Sequence, residues 1–326
     1  MEHKTLMKDD EAEMMLSLGL PSCFHNSNKS KGFRKRLDSG DEWSKNEKDL
    51  QEGRNSNENQ KNKRKKTKRM KKSISYNNQS KYFHQRYFLW SKYDEGIKMD
   101  EESWYSVTPE WMAKEISDHV VNCLDDITRE PHLIVFDPFC GAGGNSIQFA
   151  LNSRIKRVIS VDIDSTKIDL LKNNANIYGC LDKIELLCSD YKDVVQSFIK
   201  DGTHVDCIFL SSPWGGPEYN TLDQFQLKDM IPDGNEIISL VRELSQNISL
   251  YVPRNFDLEE CSKIIETIYS RDQLDSIIQN QELLYYIYEH SLLNEKTRFK
   301  ILKAYTIFYN HLAQGVLEEL QPLTLS

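Results

Sequence analysis

The chain has 326 residues, 42 Lys and Arg against 50 Asp and Glu, and a formal charge of −8. That length accommodates one large α/β domain or two small ones with a sizeable core, yet 39% hydrophobic content and a mean hydropathy of −0.61 predict that part of it does not pack. No apolar run nears the roughly 18 residues of a membrane span, the opening MEHKTLMKDDEAEMM is no secretory leader, and seven scattered cysteines, never spaced CxxC, argue for a reducing, intracellular setting.

The charge is unevenly divided. Residues 1–80 carry 19 basic and 12 acidic side chains, a balance of +7, which leaves −15 for the remainder. This leader is rich in Asn, Ser, Lys and Glu and cannot offset its ordering entropy by burial, so it is predicted to be disordered. Met14, Met15, Leu16, Leu18 and Leu20 could supply one helical turn at most. The run KNKRKKTKRMKK at 61–72 has nine basic residues in twelve. It fits a nuclear-import signal, an arm for RNA phosphates, or a solvated charge run.

From about residue 81 aromatic residues crowd the sequence, and Thr108-Pro109-Glu110 opens a helical pattern with Pro109 suited to its first turn. Strands are predicted at 133–139, 157–164, 184–190, 204–213, 248–255, 282–290 and 303–310, with helices at 143–152 and 165–179. Several strands are near-continuous apolar runs, as a sheet covered on both faces requires. The alternation predicts a doubly wound α/β sheet, with the last two strands as an antiparallel pair at one edge.

In such a sheet the ligand sits at the carboxyl ends of the strands. The first strand runs into DPFCGAGGN at 137–145, where the loop glycines allow a tight turn and close backbone approach. A strict GxGxxG is absent because Ser146 stands at the third glycine position, which weakens a dinucleotide reading. Asp137 would repel a pyrophosphate but attract the ammonium or sulfonium of S-adenosylmethionine. Asp162 falls 21 residues after Gly141, at the end of the second strand, where a carboxylate can accept ribose hydroxyls. Asp190 ends the third strand, within reach of an adenine amino group. Together the three acids outline a nucleoside with a cationic tail.

The fourth strand ends in LSSPWGGPEY at 210–219. Pro213 stiffens this corner, and Gly215-Gly216 leaves room beside the Trp214 indole. An accessible Trp there could stack on a purine for ~1–3 kcal/mol, with a cation–π increment of ~0.5–2 kcal/mol for a cationic base.

The stretches KYFHQRYFLW, YDEGIKMD, WYSVTPE, DPFCGAGGNSIQFA, VDID, SPWGGPEY and VPRN, in consistent order over about 81–310, resemble those of the trimethylguanosine synthase family. The resemblance implies a class I S-adenosylmethionine-dependent methyltransferase fold, a Rossmann-like doubly wound sheet, behind an N-terminal helical extension. It divides the chain into a disordered basic tail (1–80), that extension (81–130), the methyltransferase domain (131–312) and a C-terminal tail (313–326). It further implies two successive methyl transfers to the exocyclic N2 of a 7-methylguanosine cap on small nuclear and nucleolar RNAs. S-adenosyl-L-methionine would be held by Thr108, Asp137, Phe139, Cys140, Gly141, Gly143, Asn145, Asp162 and Asp190. Trp214 would stack on the methylated guanine, with Ser211 beside the reacting amine and Pro213 fixing the corner. Lys81 and Arg254 would hold the cap triphosphate, and Trp90 would belong to the extension that closes over the site. The chain departs from the family pattern at Ser212, usually Pro, and at Trp90, usually Phe.

Guanine N2 is a poor nucleophile, so the reaction needs strong positioning, and nothing demands a metal or a covalent intermediate. Two other readings stay open: an amino-methyltransferase for another nucleic-acid or protein substrate, and a cap-binding protein of RNP assembly weakened in turnover by Ser212. The expected partners are 7-methylguanosine-capped small nuclear and nucleolar RNA and small nuclear RNP proteins, with no membrane. The expected location is the nucleus, and a cytoplasmic pool is compatible with it. A catalytic portion at −15 suits an enzyme that reads the cap rather than a long RNA groove.

Overall fold

The computed structural model describes residues 82–124, 131–280, 283–293 and 300–313. The predictions for the leader, including the basic run, and for residues 314–326 therefore lie outside the described residues. Two short helices, α1 (Arg86–Leu89) and α2 (Ser103–Ser106), precede the longer α3 (Glu110–Leu124). The Pro109 carbonyl accepts from the Ala113 amide, which places Pro109 at the very start of α3, where its missing N–H costs nothing. Met112, Ile116 and Val120 recur every fourth residue and bury one face of α3.

The alternating part follows as β1 (Leu133–Asp137), α4 (Gly144–Leu151), β2 (Ile155–Asp162), α5 (Ser165–Tyr178), β3 (Ile184–Cys188), α6 (Tyr191–Asp201) and β4 (Cys207–Leu210). After it come α7 (Gly234–Val241), β5 (Ile248–Pro253), α8 (Glu260–Ile268), α9 (Arg271–Gln279), β6 (Tyr285–Leu293) and β7 (Lys300–Tyr309). Strand β1 stops at Asp137 because Pro138 has no amide for the ladder. The other predicted strands appear with ends displaced by a few residues.

The seven strands form one sheet in the order β3-β2-β1-β4-β5-β7-β6. Strands β1 to β5 are parallel, with Val135 of β1 facing Val158 of β2 and Cys207 of β4. Strand β7 runs antiparallel to β5, and β6 antiparallel to β7, so the expected edge pair is present. Successive strand residues feed opposite cores. Val135, Val158 and Phe209 pack with Met112 of α3, Ile147 of α4 and Leu171 of α5. Phe136, Ile159 and Ile208 pack with Val195 of α6, Ile237 of α7 and Ile264 of α8. Helices thus cover both faces, which explains the unbroken apolar strands.

Among the described residues no helix is long and apolar enough to cross a membrane, and their cysteines are free thiols.

Candidate active site

A cavity of about 510 Å³ opens at the carboxyl ends of β1 to β4. Its size suits a nucleoside-sized ligand and part of a second one. Its floor is the loop from Pro138 to Ala142. Gly143 closes that loop at φ +96°, and a Cβ there would stand 2.1 Å from Leu171 Cδ1, so both the turn and its packing demand glycine. At Gly144 a Cβ would come within 3.1 Å of Val107 Cγ1, which shows how closely the segment before α3 lies on the loop.

Asp162 supports the loop from β2. Its Oδ2 accepts from the Gly141 amide (3.0 Å) and its Oδ1 from the Asp164 amide (2.9 Å). Each carboxylate oxygen keeps a lone pair for a ligand hydroxyl. Burial holds the Asp162 carboxyl above its ordinary value against those two amides. Asp190 caps α6 by accepting from the Lys192 amide (2.8 Å) and also lines the cavity.

Asp137 lies differently from expectation. It is 1% exposed and does not line the cavity. Its Oδ2 accepts from the Ser146 hydroxyl (2.6 Å), which in turn accepts from Ser160 (2.8 Å), while its Oδ1 has no partner. Burial pushes its carboxyl up to about 7, with the Ser146 hydroxyl and Phe139 amide pulling down and the Asp162 charge pushing up. The carboxyl therefore lies beneath the loop rather than in the cavity lining.

The wall contributed by the N-terminal segment was not legible beforehand except at Thr108. Glu102, Tyr105 and Val107 line the cavity with it. Thr108 Oγ1 accepts from Asn145 Nδ2 (2.8 Å), and the buried Asn145 Oδ1 is left without a partner at the cavity wall. Lys167, buried on α5, bonds Asp100 (2.8 Å) and Glu102 (3.0 Å) and so fastens this segment.

The corner after β4 forms the other side. Ser211, Ser212, Pro213 and Trp214 line the cavity with Gly216, Tyr219 and Ile231. The Trp214 indole is half-buried, with Tyr251 at 5.3 Å and an interplanar angle of 30°, and Tyr219 edge-on at 5.1 Å. Its Nε1–H is buried without an acceptor. Ser212, at the departure from the family pattern, donates to Met230 Sδ (3.2 Å) and is 4% exposed.

Of the residues predicted for the site, Thr108, Phe139, Cys140, Gly141, Asn145, Asp162, Asp190, Ser211, Pro213 and Trp214 meet at this cavity. Gly143 shapes the loop from behind. Trp90, predicted near the substrate, is instead 1% exposed in the core, donating to Met99 Sδ (3.0 Å) with its ring 6.0 Å from Tyr178. Arg254 is half-buried beyond β5 and outside the cavity lining. Lys81 lies outside the described residues.

The residues fit a methyl-donating nucleoside: two carboxylates at successive strand ends, an orphaned Asn145 acceptor and a glycine loop. With the sheet order 3-2-1-4-5-7-6 they define a class I S-adenosylmethionine-dependent methyltransferase. Residues 132–302 match the RNA cap guanine-N2 methyltransferase family. Trimethylguanosine synthase of Schizosaccharomyces pombe is 39% identical over 184 residues, 55% of this chain and 72% of that protein. Trimethylguanosine synthase of Saccharomyces cerevisiae is 37% identical over 186 residues, 56% of this chain and 57% of that protein. Among solved structures, a SAM-dependent methyltransferase from Agrobacterium tumefaciens overlaps with a TM-score of 0.45 at 16% identity, over 63% of this chain and 64% of that one. The chain belongs to the RNA cap guanine-N2 methyltransferase family.

Proposed function

We propose that the protein methylates the exocyclic N2 of a 7-methylguanosine RNA cap twice in succession, giving 2,2,7-trimethylguanosine. The observation that carries this reading is a single cavity joining the glycine loop and Asp162 to the Trp214 corner. Bound S-adenosylmethionine supplies the electrophilic methyl. Asp162 would hold its ribose, Asp190 its base, and the unpartnered Asn145 Oδ1 would accept a donor from its amino-acid portion. Trp214 stacks on the cationic guanine, which selects a base already methylated at N7. Ser211 and the backbone oxygens of the corner surround the amine as positive charge develops on it. Pro213 and the tie between Ser212 and Met230 keep that corner rigid, so the amine is held near its attack distance. Asp162 and Asp190 are assigned to the donor's ribose and base, so no side chain is assigned as general base and the proton leaves to water after transfer. Arg254 and Lys81 bind the cap phosphates.

Small nuclear and nucleolar RNAs are the natural carriers of such caps, and RNP proteins the partners that present them, in the nucleus. The basic run at 61–72 would serve import or hold the RNA body.

The test incubates the protein with S-adenosylmethionine and a 7-methylguanosine cap dinucleotide, with an unmethylated cap dinucleotide as control, and reads product masses. Two added methyls on the first substrate alone are expected. Transfer to both would sink the selection by Trp214, and binding without transfer would favour a cap-binding protein weakened at Ser212.

A further inference from the structure

Ile231 is an apolar side chain held out in solvent, 63% exposed, yet it lines the cavity. Its placement is fixed by the corner itself. The Ile231 amide donates to the Pro213 carbonyl (3.0 Å), and the preceding residue, Met230, accepts from the Ser212 hydroxyl (3.2 Å). Two consecutive residues of the 230–231 segment are thus bonded to two consecutive residues of the corner. Met230 is 3% exposed and wedged against the start of α7, where a Cβ on Gly234 would lie 2.8 Å from its sulfur. The segment has little freedom to withdraw. Ile231 Cδ1 lies 3.8 Å from the place a Cβ would occupy on Gly215, so its side chain borders the room left beside the Trp214 indole.

A single exposed apolar side chain is ordinary on a protein surface, but one at the mouth of a ligand cavity offers surface that a bound apolar face removes from water. The backbone bond of Ile231 to Pro213 and its place beside Gly215, rather than beside the glycine loop, put it at the acceptor end of the cavity. We infer that Ile231 is an affinity-determining wall of the acceptor subsite, packing against the purine of the cap while Trp214 stacks on it. Met230 and Ser212 are the positioning residues that hold this wall. The inference rests on the cap reading above and adds to it a contact that the glycine loop and the SSPW motif do not contain.

The experiment compares full-length wild type with Ile231→Ser and Ile231→Val. It measures KM and kcat with a 7-methylguanosine cap dinucleotide, S-adenosylmethionine affinity by calorimetry, and the melting temperature. Loss of the covered apolar surface should raise KM on the order of tenfold in Ile231→Ser, with a smaller rise in Ile231→Val. Values of kcat and cofactor Kd should stay within about twofold, because the wall touches neither donor nor reacting atoms. An unchanged KM in Ile231→Ser overturns the wall. A lowered melting temperature with loss of cofactor affinity also overturns it, since Ile231 would then be a packing residue of the brace. A wild type that neither binds nor methylates the cap refutes the cap reading, a result distinct from either.

Discussion

Asn145 at the start of α4 donates to the Thr108 hydroxyl across 2.8 Å in a buried setting, which ties the loop side of the cavity to the segment that enters α3. The bond orients an amide whose oxygen is otherwise orphaned. Thr108→Val keeps the shape and removes the acceptor, so the Asn145 NH2 group is buried without a partner. A stability loss of ~1–3 kcal/mol is expected, together with weaker binding of S-adenosylhomocysteine as Asn145 turns. Urea unfolding and calorimetry check both. Unchanged values for the two would show that the bond orients nothing.

Asp137 makes a pH-dependent contribution whose sign follows from its raised carboxyl, about 7 when folded against roughly 3.9 in an unfolded chain. Between those values the folded chain retains a proton that the unfolded chain releases. The stabilisation is full below about pH 4 and is lost as pH rises through about 7. Other carboxylates titrate in the same range, so the informative quantity is a difference. From pH 5 to pH 7.5 the urea midpoint of wild type should fall relative to that of Asp137→Asn, in which the group cannot ionise. Parallel pH profiles for the two proteins would mean that Asp137 is charged throughout.

Trp214 faces two demands, since its indole packs on Tyr251 and Tyr219 as well as lining the cavity. Trp214→Ala should weaken cap binding by ~1–3 kcal/mol and also lower the melting temperature. Trp214→Phe separates the two, retaining most packing and a weaker stack. Cofactor affinity should survive both changes within a few-fold. If Trp214→Phe binds cap as wild type does while Trp214→Ala loses cofactor as well, the residue is structural.

The sheet was readable because its parallel strands are covered twice and so appear as apolar runs bounded by turn residues, as in LIVFD and CIFL. Parts of the site carried by one contiguous motif were readable too: the glycine loop, Asp162 and the Trp214 corner. What escaped was contributed across the chain. Lys167 sits 67 residues from its partner Asp100, and Ile231 reaches the corner through a backbone bond that no spacing announces. Asp137 was placed in the cavity because it adjoins the loop in sequence. As the last residue of β1 it points instead to Ser146 and Ser160 beneath, a choice of sheet face that one residue alone does not reveal. Trp90 was placed by the family resemblance alone, in the extension expected to close over the site, and its contacts with Met99 and Tyr178 bury it in the core.

Lys167 fastens the N-terminal wall. Its ammonium, 8% exposed at the side chain, meets Asp100 at 2.8 Å and Glu102 at 3.0 Å, whose side chains are 28% and 48% exposed. Burial opposes the charge on Lys167, but the hydrogen bonds it donates to the two carboxylates outweigh it and hold the ammonium firmly protonated. At Asp100 burial likewise pushes upward, and the Lys167 and Ser103 hydrogen bonds carry the carboxyl below its ordinary range. Lys167→Met leaves the Asp100 and Glu102 carboxylates, the second of them in the cavity lining, without the ammonium they share. Because both are partly solvated, the expected cost is modest, about 1–2 kcal/mol. The larger consequence is functional: Glu102, Tyr105 and Thr108 lose their fastening, so cofactor affinity should fall several-fold more than stability alone predicts. Lys167→Arg keeps the charge with a different fork and should recover part of it. Cofactor titration of the three proteins at one ionic strength decides the matter, and equal affinities in wild type and Lys167→Met would show that the wall stands without the lysine.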